Sequence, residues 1–273
     1  MKLWLAPLEG VSDCAFRTLC YRYGADMTFT PMIRVDALVR GNKATMQLLD
    51  LHNDTPTGIQ LLAVKPATLQ QFVKEFKDSG MNPVSFDLNC GCPSPDVIRG
   101  GGGAALIKRT KRLNELITIL NRLGKPVSIK MRLGLNSYEK EKKVYLHVLK
   151  EVEADHFIIH ARHARQTSRE PADWKVFEEC VATGKHIIPN GDIGTKQDID
   201  FFRRLGIKEV MIGRAAVRNP CVFNWLKGDE QVAMKDIRKT YGTLSAKYHS
   251  QPSFKKTVLD YMGKEIHSKA WLM

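Results

Sequence analysis

Apolar residues along this chain come in short runs, separated by longer stretches in which they recur every three or four positions. The runs predict buried strands at 3–8, 27–33, 58–63, 84–89, 127–132, 156–161, 186–190 and 209–213. The stretches between them predict amphipathic helices: Leu69, Phe72, Val73 and Phe76 share one helical face, as do Val144, Val148, Leu149 and Val152. Ser12 and Thr195 stand where N-caps are expected, and Gly24, Gly80, Gly124, Gly184 and Gly206 where helices should stop. Eight strand–helix units in about 225 residues predict a closed parallel (β/α)8 barrel, the TIM barrel, rather than an open sheet. After Gly228 the strand pattern ends. Residues 229–273 predict a short helical appendage anchored by Tyr241, Leu244, Tyr248, Val258, Tyr261 and Met262, so the division is a barrel over 1–228 and an extension over 229–273.

The composition, 43% hydrophobic and 26% charged, suits a globular protein with a sizeable core. No apolar run reaches the ~18 residues of a membrane span, and residues 1–7 are too short for a signal peptide. Six cysteines without a secretory signal predict reduced thiols in the cytoplasm. Cys90-Gly91-Cys92 has no second Cys or His pair at zinc spacing, so no metal is expected. A monomer is expected. The net charge of +13 changes the picture, because it favours a polyanionic partner. Basic residues gather at Lys108-Arg109-Thr110-Lys111-Arg112 and at Arg162-His163-Ala164-Arg165. A third cluster, 140–143, alternates with Glu139 and Glu141 and reads as a solvated helix face.

Chemistry-bearing residues collect at the carboxyl ends of the predicted strands, where a barrel builds its site. In chain order these are Pro7-Leu8-Glu9, Gln60, Asn89 with Cys92, Lys130 with Arg132, His160 with Arg162, Asn190-Gly191-Asp192, and Gly213-Arg214. The last two groups follow strands seven and eight, the usual phosphate-gripping corner, where glycine amides and Arg214 could converge. The densest stretch is Asn89 to Ile107. Two prolines stiffen the turn after Cys92, and Gly100 to Gly103 leave backbone free to approach a ligand closely or to move as a flap. Cys92 reads either as a reactive thiol or as a small buried hydrophobe.

Six motifs in consistent order over residues 3–225 carry a resemblance. They are L-A-P-L-E-G-V-S-D, N-C-G-C-P with its Gly-rich segment, I-K-M-R-L-G, H-A-R, and N-G-D-I with I-G-R-A-A. Together they resemble the tRNA-dihydrouridine synthase family. The resemblance implies a TIM barrel carrying FMN, with C-terminal helices that help hold tRNA. It also implies NADPH-dependent reduction of the carbon 5–carbon 6 double bond of particular uridines. By motif position, Pro7, Leu8, Glu9, Gln60, Lys130, His160, Asn190, Gly191, Asp192, Gly213 and Arg214 would contact FMN. Cys92 would donate the proton, while Asn89, Arg132, Arg162 and Arg165 would meet the substrate. An FMN barrel reducing a small molecule such as a free pyrimidine is the alternative. The chain departs from the family pattern at Ser168 and Glu170, at Glu9-Gly10, and in a C-terminal portion of only about 45 residues.

Overall fold

The computed structural model describes residues 1–51 and 55–264, and in it the short apolar runs become parallel strands. These are β1 (Lys2–Leu5), β2 (Thr28–Phe29), β3 (Ile33–Arg34), β4 (Thr57–Leu62), β5 (Ser85–Cys90), β6 (Val127–Arg132), β7 (His156–His160), β8 (Ile187–Asn190) and β9 (Glu209–Ile212). Hydrogen bonding runs in the order β1-β9-β8-β7-β6-β5-β4-β2, with β3 also on β4. A bridge between Trp4 and Met27 closes the ring. Beside it, Leu5 N–H donates to Met27 O and Asp26 N–H to Leu3 O, each at 2.8 Å. The Asp26 carboxylate adds a bond from Leu3 N–H at 2.7 Å and an ion pair with Lys227 at 2.7 Å.

The expected strand 27–33 is therefore two pieces on one partner. Pro31 lies between them and has no N–H to offer the ladder, so pairing stops after Thr30 N–H reaches Gly58 O and resumes at Ile33. The parallel strands are buried nearly throughout, which is why they read as apolar runs rather than alternations.

Around the ring, the helix Pro66–Lys77 buries Leu69, Phe72, Val73 and Phe76 against the barrel, as their spacing requires. Thr195 caps Lys196–Arg204 in a reciprocal box with Asp198. Ser12 is not a cap. Asp13 takes that position for the helix Cys14–Arg22, accepting from Phe16 N–H at 2.9 Å. The Ser12 hydroxyl instead turns back on the first loop, accepting from Leu8 N–H at 2.9 Å and donating to Leu8 O at 3.0 Å. Helices Met234–Lys247 and Pro252–Tyr261 follow the barrel, and residues 265–273 of the expected extension lie outside the described residues. Tyr241, Leu244, Tyr248, Val258 and Met262 are buried in the same core as the strands, and Tyr241 meets Phe16 edge-on at 6.5 Å. No described helix is long and apolar enough to cross a membrane.

Candidate active site

A cleft of about 990 Å³ opens at the carboxyl ends of the strands. Of the residues singled out from the sequence, it is lined by Pro7, Leu8, Glu9, Gln60, Asn89, Cys92, Lys130, Arg132, His160, Arg162, Asn190, Gly191, Asp192, Gly213 and Arg214. Arg165 is exposed and stands outside it.

Cys92 sits on one wall, in the turn that follows β5. Asn89 shapes that turn: its side-chain oxygen accepts from Cys92 N–H at 2.9 Å and Gly91 N–H at 3.2 Å. The thiol is 8% exposed, among Met32, Leu62 and Val97. Burial pushes its pKa up, so the proton stays on sulfur at neutral pH. Cys90 is wholly buried. The glycines after Cys92 allow close approach to the chain's own residues. Gly103 has φ +53°, and a Cβ there would lie 2.6 Å from Cys92 O. Ala104 N–H closes the contact by donating to Cys92 O at 3.1 Å.

The floor carries a residue that sequence reading missed. Asp87 is fully buried on β5, two positions before Asn89 and so on the same strand face. It accepts from Ser128 Oγ at 2.6 Å and from Gln60 Nε2 at 2.7 Å. Burial pushes its pKa up against those bonds and the Lys130 charge. The available signal was a carboxylate inside an apolar run. Lys130 faces the cleft with no hydrogen bond or ion pair among the described residues. Burial first, and Arg132 second, push its ammonium pKa down.

The opposite wall is cationic, but most of its charges are engaged within the protein. Arg162, expected to meet substrate, is 2% exposed. Its guanidinium donates to Glu170 O at 2.6 and 2.8 Å, meets His160 Nε2 at 3.0 Å and pairs with Asp192. These bonds hold the wall together, while Arg162 also lines the cleft. Asp192, at φ +58°, also pairs with Arg214, which donates to Ser168 O at 3.0 Å. The main-chain carbonyls of Ser168 and Glu170 thus buttress this wall. Arg132 is buried and donates to His163 O at 3.1 Å. His160 lies among Arg132, Lys130, Arg162 and Arg214; burial and those cations push its pKa well down, so the imidazole is neutral. Gly191 packs on it so closely that a Cβ would lie 2.9 Å from the ring. At the corner beyond β9, the N–H groups of Gly213, Arg214 and Ala215 have no acceptor among the described residues.

Comparison with known proteins adds three findings. The family model described as dihydrouridine synthase matches residues 4–269. A tRNA-dihydrouridine(47) synthase of Coprinopsis cinerea is 32% identical over 246 residues, 83% of this chain but 36% of that protein. A Helicobacter pylori protein named "Probable tRNA-dihydrouridine synthase" is 32% identical over 232 residues, covering 81% of this chain and 68% of its own. The chain thus spans about a third of the length of the first curated relatives it matches. Among solved structures, morphinone reductase superposes with a TM-score of 0.57 at 12% identity, over 88% of this chain and 90% of that one, a likeness of fold.

Proposed function

The chain belongs to the dihydrouridine synthase family, and from that premise we propose that it reduces particular uridines of tRNA to 5,6-dihydrouridine. FMN would bind in the cleft, NADPH would be the reductant, and Cys92 would be the proton donor. The donor set fits FMN. Gln60, the unpaired Lys130 and the neutral His160 suit a flat ring with carbonyl edges. The residues Asn190 to Asp192 and the free amides of Gly213 to Ala215, with Arg214, suit its phosphate. Pro7, Leu8 and Glu9 would lie against the ring, in a loop fixed by Ser12. We place this work in the cytoplasm, on a single chain.

The observation that carries the reading is the Cys92 thiol on the wall of a cleft that Lys130, Arg132 and Arg214 also line. Bound FMN would supply hydride, taken from NADPH, to carbon 6 of the uracil. The chain's own residues do the rest. Lys130 places positive charge beside a site where negative charge collects. Cys92 gives its proton to carbon 5, completing reduction of the double bond, and its thiolate regains a proton from solvent. The turn built by Asn89 aims that thiol, and the Gly103 contact keeps it from swinging away.

The test is direct. The purified protein should be yellow, and with NADPH and an unmodified tRNA it should yield dihydrouridine at defined positions, mapped by sequencing. Flavin-dependent NADPH oxidation driven by free pyrimidines or enones, with tRNA left unchanged, would replace this reading by the small-molecule one.

A further inference from the structure

We infer that the buried Asp87 is the positioning residue that sets the direction of a hydrogen-bonded relay ending on the Cys92 turn. Four side chains from three adjacent strands make it: Ser128 on β6, Asp87 and Asn89 on β5, and Gln60 on β4. The Asp87 carboxyl group has the Ser128 hydroxyl on Oδ1, which leaves Oδ2 as an acceptor, whereas an amide has a donating arm and an accepting arm. Asp87 Oδ2 must therefore take Gln60 by its NH2 group, at 2.7 Å. That turns Gln60 Oε1 outward, where it accepts from Asn89 Nδ2 at 3.0 Å. Asn89 is then left with its oxygen toward the backbone, the only orientation that accepts Cys92 N–H at 2.9 Å and Gly91 N–H at 3.2 Å. Ser128 Oγ, donating to Asp87 Oδ1 at 2.6 Å, fills the carboxylate's other side.

The sense of every bond follows from one buried carboxyl group. Remove it and both amides are free to flip, and a flipped Asn89 would set its NH2 against two backbone donors. The turn would loosen although no residue in it had changed. In the proposed reaction this would misplace the thiol, a consequence that rests on the reading of Cys92 as proton donor. The relay itself does not.

The test reads the turn in the full-length chain without added flavin or tRNA, by hydrogen exchange of single amides in NMR spectra. In Asp87→Ala, the Gly91 and Cys92 amides should exchange about tenfold faster or more, while those of Leu88 and Ile129 stay slow. Should that variant fail to fold, Gln60→Met cuts the relay one link later and should give the same local effect. The decisive variant moves the carboxyl group by one link. In the double variant Asp87→Asn, Gln60→Glu, the residue at 87 donates to the carboxylate at 60, which still accepts from Asn89. Protection at Gly91 and Cys92 should return. Unchanged exchange in both cut variants, an equal rise across β5 and β6, or a folded double variant that stays unprotected would each overturn the relay. If the amides behave as stated but the wild-type protein leaves tRNA unreduced, the functional reading fails and the relay stands.

Discussion

Cys90 and Cys92 are two positions apart and sit in different surroundings. Cys90 is enclosed in the core, and Cys92 reaches the cleft wall. Replacing Cys92 with Ala should leave flavin binding and NADPH oxidation nearly intact and slow dihydrouridine formation by about 10²–10⁴, the usual worth of a placed acid. Cys90→Ala, if folded, should turn over near the wild-type rate. Single-turnover reoxidation of reduced enzyme by tRNA separates the two. A second single-residue effect lies at the other end of the barrel. His156 Nδ1 meets His186 Nδ1 at 3.0 Å, and His186 Nε2 meets Glu209 at 3.0 Å. Two protonated rings would turn donors against each other. Burial first, and His186 second, push the His156 pKa down. The unfolded chain then binds the proton that the folded chain resists, so this stability is present above a pH of about 6.5 and lost as pH falls below it. Relative to His156→Gln, the wild-type protein should lose unfolding free energy as pH falls from about 7.5 to about 5.5 in denaturant titrations.

Among the elements, the segment after Cys92 makes the sharpest demand on sequence. Gly103 is buried in a left-handed conformation against the Cys92 carbonyl. Gly103→Ala should cost about 1–3 kcal/mol by urea unfolding, and the turn should loosen with it. The run of glycines was legible as backbone free to approach a ligand or to move; that Gly103 approaches the chain's own turn was not, because a composition pattern does not name its contact partner. The same limit divides the rest. Strand positions were legible because parallel strands buried on both faces must be apolar, and the interruption at Pro31 shows where that pattern hides a missing donor. Asp13 rather than Ser12 caps the first helix, since either residue type can cap and only the backbone decides. Asp87 escaped notice because a charge in an apolar run says nothing about which neighbours satisfy it. The internal partners of Arg162 were hidden for the same reason, Glu170 and Asp192 arriving from other loops.

For the whole molecule, the net charge of +13 bears on the proposed contact with tRNA. Several expected basic contacts are engaged within the protein: Lys108 pairs with Glu139 at 2.9 Å and Arg112 with Glu115 at 3.4 Å. Exposed Lys111 and Arg165 have no such ion pair among the described residues, so they are better placed to meet phosphates. Affinity for tRNA should fall steeply with salt. Lys111→Glu with Arg165→Glu should flatten that slope by roughly one unit for each phosphate left without its cation, measured by filter binding over a salt series. The ring itself is unevenly joined. From β4 round to β8 each neighbouring pair of strands is laddered over four or five residue pairs, whereas β8 and β9 share the single pair Asn190–Met211, and β1 and β2 share one bridge, backed by the Asp26 side chain and its tie to Lys227. An elastic hoop yields at its least-bonded joint. Any widening of the mouth should therefore fall at those two sparse joints, beside the Pro7–Glu9 loop and the Asn190–Asp192 turn, while the laddered arc carrying Asp87, Asn89, Lys130 and His160 keeps its spacing.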